Sequence, residues 1–487
     1  MMDEPILKSR NFIFLSAWAI LAALTLNILL KVFFRPLWFD EAITVMDFVF
    51  LPNPMDIYRY YNIPNNHIVY NMLLRFWIDI CGQIPFIDRI SLRLFTAVTA
   101  IASLLFIAWS WGRRFSRETV FIACFCFILS LPFAIYASAI RGYMLSFLLV
   151  LAAIEICLRY RDTGKTVHLA LLFAVSFLAV GTTPTNLIAF AAICIILLPS
   201  FKLKEILSKK SMMPAIIPVA AFIVFYIPIS GKLMKALALN EGWTGWLNAS
   251  IHFYAAFAIS FLPLIILAIL GRKLLQEKNP GSAGIQTMIA LLIPLLVFLI
   301  KSPSPFPRAF FCLWPLWIFM LCQSADPFIR HLNGKFPGRT LPVLLCACAA
   351  WSLLPLGFST QLSDNLSTGG QDDFFSPYFM RQNFRPVETV TKSIELADPK
   401  THGRVFIDFA ADYPSIMFYS RILKLDDAFW VFDRPGKKAG SLGGIESIFV
   451  ITRGKGEMES ISRRFNMKSY EPVADCGYQK IYKAKLK

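Results

Sequence analysis

The feature that most constrains this sequence is a series of long apolar runs separated by short polar loops. Each run has about 15 to 23 residues, which is long enough for a helix to cross the hydrocarbon core of a bilayer. The runs cover residues 12–33, 91–111, 118–136, 143–158, 166–183, 186–200, 212–230, 251–270, 285–300, 308–323 and 341–357. Because 56% of the 487 residues are hydrophobic, a soluble globular fold is excluded. We predict an α-helical polytopic membrane protein with about eleven transmembrane helices.

Basic residues cluster in alternate loops, for example at residues 113–117, 159–165, 202–210 and 330–339. The net charge of +17 therefore encodes orientation in the membrane, and we expect no nucleic-acid partner. The positive-inside rule predicts a cytoplasmic N-terminus. With an odd number of spans, the loop 34–90 and the chain after residue 357 then lie on the periplasmic side of a bacterial inner membrane.

Two domains are predicted, a transmembrane module over residues 1–357 and a periplasmic α/β domain over residues 358–487. In the module, residues 68–80 have helical amphipathic spacing that predicts an interfacial helix, with Asn71, Arg75 and Asp79 on its polar face. In the second domain, strands are predicted at 403–409, 428–432, 447–452 and 479–484. Helices are predicted there at 386–397, 414–419 and 457–465.

Cysteine usage gives no sign of a metal site or a disulfide framework. Eight of the ten cysteines lie inside apolar runs, where they serve as small apolar side chains. Cys81 and Cys476 lie in polar segments, and a bridge between them stays open because spacing alone cannot fix it. No CxxC or HExxH motif occurs, so we expect no cofactor, while a divalent metal stays possible.

The strongest candidate site residues are the adjacent acids Asp40 and Glu41, which follow the first apolar run. Carboxylates at a membrane edge are costly to desolvate, so they line a polar cavity, pair with a cation or take part in chemistry. The alternative is that they are solvated loop residues that cap a helix starting near Ala42.

Three further features are predicted on the same side of the membrane. His67 follows Asn65 and Asn66, and Arg141 lies in the short loop 139–143 just before Tyr143. Lys301 and Arg308 flank a proline-rich turn. The alternatives are a surface role for His67, a headgroup contact for Arg141 and an interface anchor at the turn. Together, carboxylates and guanidinium groups suit a reaction in which arginines bind a phosphate leaving group and a carboxylate accepts a proton.

The order of these motifs resembles the GT-C superfamily of polytopic glycosyltransferases. The motifs are Trp38-Phe39-Asp40-Glu41-Ala42, Asn65-Asn66-His67, Ala139-Ile140-Arg141-Gly142-Tyr143 and Pro307-Arg308-Ala309. The resemblance is to the branch of dolichyl-phosphate-mannose–protein mannosyltransferases (family 39) and lipid A aminoarabinose transferases (family 83). Two positions depart from the family pattern, since Ile68 follows the histidine and Ala309 follows the second arginine.

The resemblance implies an inverting transfer of a sugar from a polyprenyl-phosphate donor to a glycolipid, glycan or protein acceptor. Asp40 would be the general base and Glu41 would assist it. Arg141 and Arg308, with Lys301, would hold the donor phosphate, while Tyr143 and His67 would line the pocket. Two rival hypotheses stay open, a transporter or flippase of an anionic lipid-linked substrate and a scaffold that acts through the C-terminal domain.

Overall fold

The computed structural model of the chain describes most of its residues. The described ranges are 4–33, 36–61, 66–81, 90–197, 208–238, 245–276, 282–300, 305–336, 339–348, 350–351, 384–397, 404–408, 411–423, 430–432 and 447–486. The chain folds as two compact units, one formed by Met1–Phe33 and Asn53–Ser376, the other by Phe34–Pro52 and Pro377–Lys487. The segment that carries Asp40 and Glu41 thus belongs to the second unit. The predicted boundary at residue 357 lies outside the described residues.

The first unit is built from helices. Their bounds are Glu4–Phe33, Pro54–Arg59, Ile68–Cys81, Ile90–Phe106, Arg117–Ile128, Leu131–Tyr136, Tyr143–Thr163, Thr166–Thr182, Asn186–Leu197, Lys209–Tyr226, Ser230–Ala238, Trp246–Gln276, Ser282–Ile300 and Trp314–Lys335. Short π-helical or 3₁₀ stretches at Ile107–Trp111, Ile227–Ile229 and Pro307–Leu313 join or extend them. Residues 340–348 are also helical.

Within the described ranges, six helices are long and apolar enough to cross a membrane. They contain Phe12–Leu30, Leu92–Trp111, Tyr143–Thr163, Ser211–Lys235, Trp246–Arg272 and Pro307–Lys335. Large apolar side chains such as Phe12 and Ile20 stay exposed on the first of them, as expected for a helix that faces lipid. The predicted class of multi-pass α-helical membrane protein is confirmed, and the number of eleven spans stays a prediction.

The predicted run 118–136 forms two helices and is not one continuous helix. The first helix ends at Ile128 and the second begins at Leu131. Ser130 caps the second helix, because its Oγ accepts a hydrogen bond of 3.2 Å from the Phe133 backbone N–H. Pro132 follows within the first turn, where proline is tolerated. The apolar pattern continues across the break, which is why hydropathy did not reveal it.

Ion pairs and hydrogen bonds of two buried carboxylates join several helices of the first unit. Glu155 accepts hydrogen bonds from Ser110, Arg114 and Arg159, at distances between 2.7 and 3.3 Å. Asp326 accepts 2.6 Å from the Ser116 backbone N–H and pairs with Arg330. Both carboxylates therefore compensate their burial with charged partners and fix the packing of neighbouring helices.

The amphipathic helix of the first unit spans Ile68–Cys81, close to its predicted range. Arg75 and Asp79 form an exposed ion pair at 3.0 Å on one face. Asn71, predicted on the same polar face, is fully buried. Its Nδ2 donates 2.8 Å to Asn66 Oδ1, and this buried partner replaces the water that an exposed amide would bind.

The second unit contains a five-stranded mixed sheet in the order β2-β1-β3-β5-β4. The strands are β1 Val405–Ile407, β2 Trp430–Phe432, β3 Ser447–Thr452, β4 Met467–Cys476 and β5 Gln479–Leu486. β1 pairs in parallel with β2 and β3, while β5 pairs antiparallel with β3 and β4. The unit also contains the helices Pro386–Ala397, Tyr413–Ile422 and Lys455–Arg464. A small C-terminal α/β unit is therefore confirmed.

Strand β4 was missed in the sequence because it is polar and contains Pro472. Proline cannot donate to a strand ladder, and it is confined to edge strands or bulges. β4 is at the edge of the sheet, and its pairing with β5 shifts register between Pro472 and Ala474. Cys476 ends this strand and, like Cys81, is a free cysteine.

Candidate active site

The acidic segment, residues 36–44, places both candidate acids in the first turn of a short helix. The helix Phe39–Ile43 begins after Trp38, whose backbone is extended. Trp38 donates its backbone N–H to Glu41 Oε2 at 3.3 Å, and Thr44 Oγ1 donates to the Asp40 carbonyl at 2.8 Å. Negative side chains are favoured there because the helix N-terminus carries partial positive charge.

Both acids are buried, so the alternative of solvated loop residues is wrong. Asp40 is 4% exposed and Glu41 is 0% exposed. The helix also begins at Phe39 rather than near Ala42. Glu41 takes the position from which an acidic side chain bonds back to the backbone at the start of a helix. Two ionisable groups have thus been removed from water at adjacent positions, which is typical of a functional site.

The acidic segment is held by the helix Tyr413–Ile422 of the same unit, called here the clamp helix. The Leu37 backbone N–H donates 2.9 Å to the Tyr419 hydroxyl. The Leu37 carbonyl accepts 2.8 Å from Ser415 Oγ. Phe39 meets the Tyr413 ring edge-on, with centroids 6.2 Å apart. Neither serine nor tyrosine in this helix was identified from the sequence, because their contacts lie hundreds of positions apart in the chain.

In the first unit, loop ends that are distant in sequence bring His67, Arg141 and Tyr143 together. The His67 and Tyr143 rings meet edge-on at 5.0 Å, and Arg141 Cζ lies 5.7 Å from the Tyr143 ring centroid. His67 is 4% exposed and Arg141 is 0% exposed. This burial is inconsistent with the two alternatives given above, a surface role for the histidine and a lipid-headgroup contact for the arginine.

Arg308 is part of the same electrostatic environment. It lies in the 3₁₀ stretch Pro307–Leu313, is 6% exposed, and stacks with Cζ 4.3 Å from the Phe306 ring centroid. Burial lowers the pKa of His67 well below its ordinary value, and the charges of Arg141 and Arg308 lower this pKa further. A hydrogen bond to the Thr182 backbone opposes the shift without overcoming it. His67 is therefore neutral beside two cations. Together we call His67, Arg141, Tyr143, Thr182 and Arg308 the histidine–arginine cluster.

Two predicted residues of this region, Asn65 and Lys301, lie outside the described residues. Sequence reasoning missed the buried polar side chains of Ser146, Thr183 and Asn186, which follow Thr182 or bond to residues that do. Asn186 Nδ2 donates 3.0 Å to Ser146 Oγ and 2.6 Å to the Ala179 carbonyl. Ser146 is also within 3.2 Å of Thr183 Oγ1. The signal was present as Thr182-Thr183-Pro184-Thr185-Asn186, a polar stretch between two apolar runs.

The part of the chain that the structure describes holds no group of three or more His, Cys, Asp or Glu side chains suited to a metal ion.

Two solved structures have the same architecture over nearly the whole chain. ArnT from Cupriavidus metallidurans in the apo state superposes with a TM-score of 0.57 at 10% identity, covering 96% of this chain and 98% of that one. The fold is that of ArnT. ArnT bound to undecaprenyl phosphate gives a TM-score of 0.56 at 10% identity, with coverage of 96% and 97%. The GT-C-type fold predicted from the motifs is confirmed, and at this identity the similarity to ArnT establishes the fold alone.

No protein-family model matches the chain, and no curated protein matches its sequence. The ArnT architecture was therefore recognisable from a few short motifs and from the coordinates, while overall sequence similarity is too low to reveal it.

Proposed function

We propose that this protein is a membrane glycosyltransferase that uses a sugar linked to polyprenyl phosphate. The acceptor is a hydroxyl of a glycolipid, a glycan or a protein on the periplasmic side of the inner membrane. The observation that carries this proposal is the burial of Asp40 and Glu41 at a helix N-terminus, within a fold shared with ArnT. One of those ArnT structures contains undecaprenyl phosphate, which supports a lipid phosphate as the donor carrier.

In the proposed reaction, the Asp40 carboxylate accepts the proton of the acceptor hydroxyl. The acceptor oxygen then forms a bond to the anomeric carbon on the face opposite the phosphate. The bond between the anomeric carbon and the phosphate oxygen breaks, and its electron pair leaves with the polyprenyl phosphate. A new glycosidic bond of inverted configuration results. The proton stays on Asp40 until the product departs.

Arg141 and Arg308 would stabilise the charge that develops on the leaving phosphate. Guanidinium groups suit this role because they bind phosphate oxygens in a bidentate manner and stay charged. Burial strengthens such an interaction, since the local dielectric constant is lower than in water. A neutral His67 leaves the phosphate site to the two arginines, while Tyr143 orients Arg141 through its ring. Lys301 would add charge near the Pro307-Arg308 motif.

Glu41 would orient the base rather than replace it. Its carboxylate accepts the Trp38 backbone N–H, which fixes the first turn from which Asp40 projects. This division of roles predicts unequal effects of the two amide substitutions, with Asp40→Asn much more damaging than Glu41→Gln.

A transporter is less well supported. That hypothesis predicts acids or bases near mid-membrane in several spans and an internal repeat. Of the described residues, the buried acids Glu155 and Asp326 lie within helices that continue to Thr163 and Lys335, and each pairs with an arginine that compensates its charge. No observation favours translocation over transfer.

The test is transfer by the purified full-length protein in liposomes, with undecaprenyl-phosphate-linked sugars as donors and released undecaprenyl phosphate as the readout. Mass analysis of surface glycolipids and glycoproteins from cells with and without the protein would identify the acceptor. We expect Asp40→Asn to reduce kcat by about 10³-fold, because general-base catalysis contributes roughly 10²–10⁴. Asp47→Asn, at an exposed acid in the π-helical stretch Thr44–Val49 that follows the acidic segment, is the matched control. Full turnover in Asp40→Asn would reject the proposal.

A further inference from the structure

The acidic segment is fixed at Leu37 by side chains that come from the far end of the chain. The Leu37 N–H donates to Tyr419 Oη at 2.9 Å, and its carbonyl accepts from Ser415 Oγ at 2.8 Å. Both polar groups of one residue are thus satisfied by two neighbouring turns of the clamp helix. Leu37 precedes the helix Phe39–Ile43, so no helical partner is available for either group.

These two hydrogen bonds are buried. Leu37 and Ser415 are 0% exposed, and Tyr419 is 4% exposed. If either hydroxyl is removed, water therefore cannot take its place. The Leu37 N–H or the Leu37 carbonyl would then lose its hydrogen-bond partner. The edge-on contact of Phe39 with Tyr413 adds a third point of attachment, directly next to Asp40.

The clamp helix is itself fixed to the sheet. Asp412, which has a left-handed backbone with φ of 62°, caps the helix by accepting the Ser415 N–H at 3.3 Å. Trp430 on β2 donates its Nε1–H to Ser420 Oγ at 2.6 Å. A continuous set of buried contacts therefore runs from β2 through the clamp helix to Leu37, and from Leu37 through the capped first turn to Asp40.

We propose that Ser415 and Tyr419 are positioning residues for the Asp40 carboxylate, so that the C-terminal α/β unit is part of the catalytic machinery. The proposal rests on the function proposed above. Hydrogen bonds to the backbone fix the direction in which the first turn of the helix projects, and the Asp40 side chain stays available for its proton-accepting role. Small errors in the placement of a base strongly reduce the reaction rate, since a displacement of about 1 Å can lower it roughly 10²-fold.

The experiment compares Tyr419→Phe, Ser415→Ala and the double variant in the full-length protein. Each substitution removes one hydroxyl and leaves the backbone cap at Asp412 intact, because that cap uses the Ser415 N–H. Tyr470→Phe, which removes a hydroxyl from edge strand β4 of the same unit, is the matched control. The readouts are kcat, KM for the lipid-linked donor, the pH dependence of kcat, and hydrogen exchange of the peptide covering residues 36–50.

We expect each single variant to lower kcat by about tenfold and the double variant by up to about 10²-fold, with the donor KM changed less than twofold. The pH at which kcat is half-maximal should shift, because the base then has a different environment, and residues 36–50 should exchange faster. Tyr470→Phe should match the wild type in all four readouts. A merely structural role would lower the active fraction without moving the pH profile.

Unchanged kcat and an unchanged pH profile in the double variant would overturn the proposal, whether or not exchange becomes faster. So would a higher donor KM at constant kcat. If the wild type transfers no lipid-linked sugar, the proposed function fails. Unchanged exchange in residues 36–50 would separately show that the clamp does not hold the acidic segment, so the two failures can be told apart.

Discussion

The acidic segment and the histidine–arginine cluster are assembled in opposite ways. The acids occupy adjacent positions and are held by hydrogen bonds to backbone groups, both within their own helix turn and at Leu37. The cluster joins residues as far apart as His67 and Arg308, and it combines ring contacts at Tyr143 with deep burial of His67 and Arg141. The candidate residues of one region are thus neighbours in the sequence, and those of the other are brought together by the fold.

The two regions also differ in the charges that they bury. The acidic segment uses partial positive charge at a helix N-terminus to support its carboxylates. The cluster instead concentrates positive charge in a buried setting and keeps its histidine neutral. Under the proposed function, the acidic segment would supply the base and the cluster would supply the phosphate site.

The largest effect in the cluster is expected for Arg141→Ala. If Arg141 stabilises the leaving phosphate as proposed, removal of its buried guanidinium should lower kcat/KM for the donor by about 10²–10³-fold. Arg141→Lys should recover only part of this loss, because an ammonium cannot bind phosphate in a bidentate manner. Steady-state transfer assays measure both.

Arg113→Ala is the control for this prediction, since Arg113 is exposed and stacks over Trp109 with Cζ 4.1 Å from the ring centroid. Equal losses in Arg113→Ala and Arg141→Ala would break the comparison, because the effect would then reflect any loss of positive charge.

A smaller effect is expected for Gly142→Ala, which tests packing. A Cβ at this position would lie 2.6 Å from Thr182 Cγ2 and 2.9 Å from His67 Nδ1. Overpacking of this kind costs about 1–3 kcal/mol, so the thermal midpoint of the purified protein should fall. Gly231→Ala is the matched control, because nothing lies within 4 Å of its Cβ and alanine favours the helix there. A midpoint as high as that of the wild type in Gly142→Ala would show that the cluster is loosely packed.

The smallest effect concerns pH. The pKa of His67 is lowered in the folded protein, so between this pKa and the ordinary value of about 6.5 the unfolded chain binds a proton that the folded chain does not. The contribution of His67 to stability is therefore full above pH of about 6.5 and decreases as the pH falls below it, by at most about 1.4 kcal/mol per pH unit.

Thermal midpoints measured from pH 5 to pH 8, a range of about three units around the ordinary histidine pKa, should show this loss in the wild type. His67→Gln should have a flatter dependence, with His331→Gln at an exposed position as the matched substitution. Equal slopes in the wild type and His67→Gln would contradict the assignment of a neutral buried imidazole.

Much of the fold follows from periodicity in the sequence. Helices begin and end near the predicted residues across the apolar runs, for example at Tyr143–Thr163 and Ser282–Ile300, because lipid or protein must cover each apolar face. The errors arose where local pattern and long-range contact disagree. Asn71 has the spacing of a polar-face residue, but in the structure it is buried against Asn66. The sequence of β4 has the pattern of a loop, but the segment pairs with β5 as a strand.

The candidate site divides in the same manner. The sequence alone determined that an acidic doublet follows the first span and that arginines precede two later helices, because residue type and order are local properties. It also determined that this is a membrane protein, because a soluble fold cannot bury so many long apolar runs. Only the tertiary structure decided that Asp40 and Arg141 are buried, that His67 is neutral, and that Ser415 and Tyr419 bond to Leu37. Burial and long-range hydrogen bonds depend on which segments meet in space, and one-dimensional spacing does not encode that.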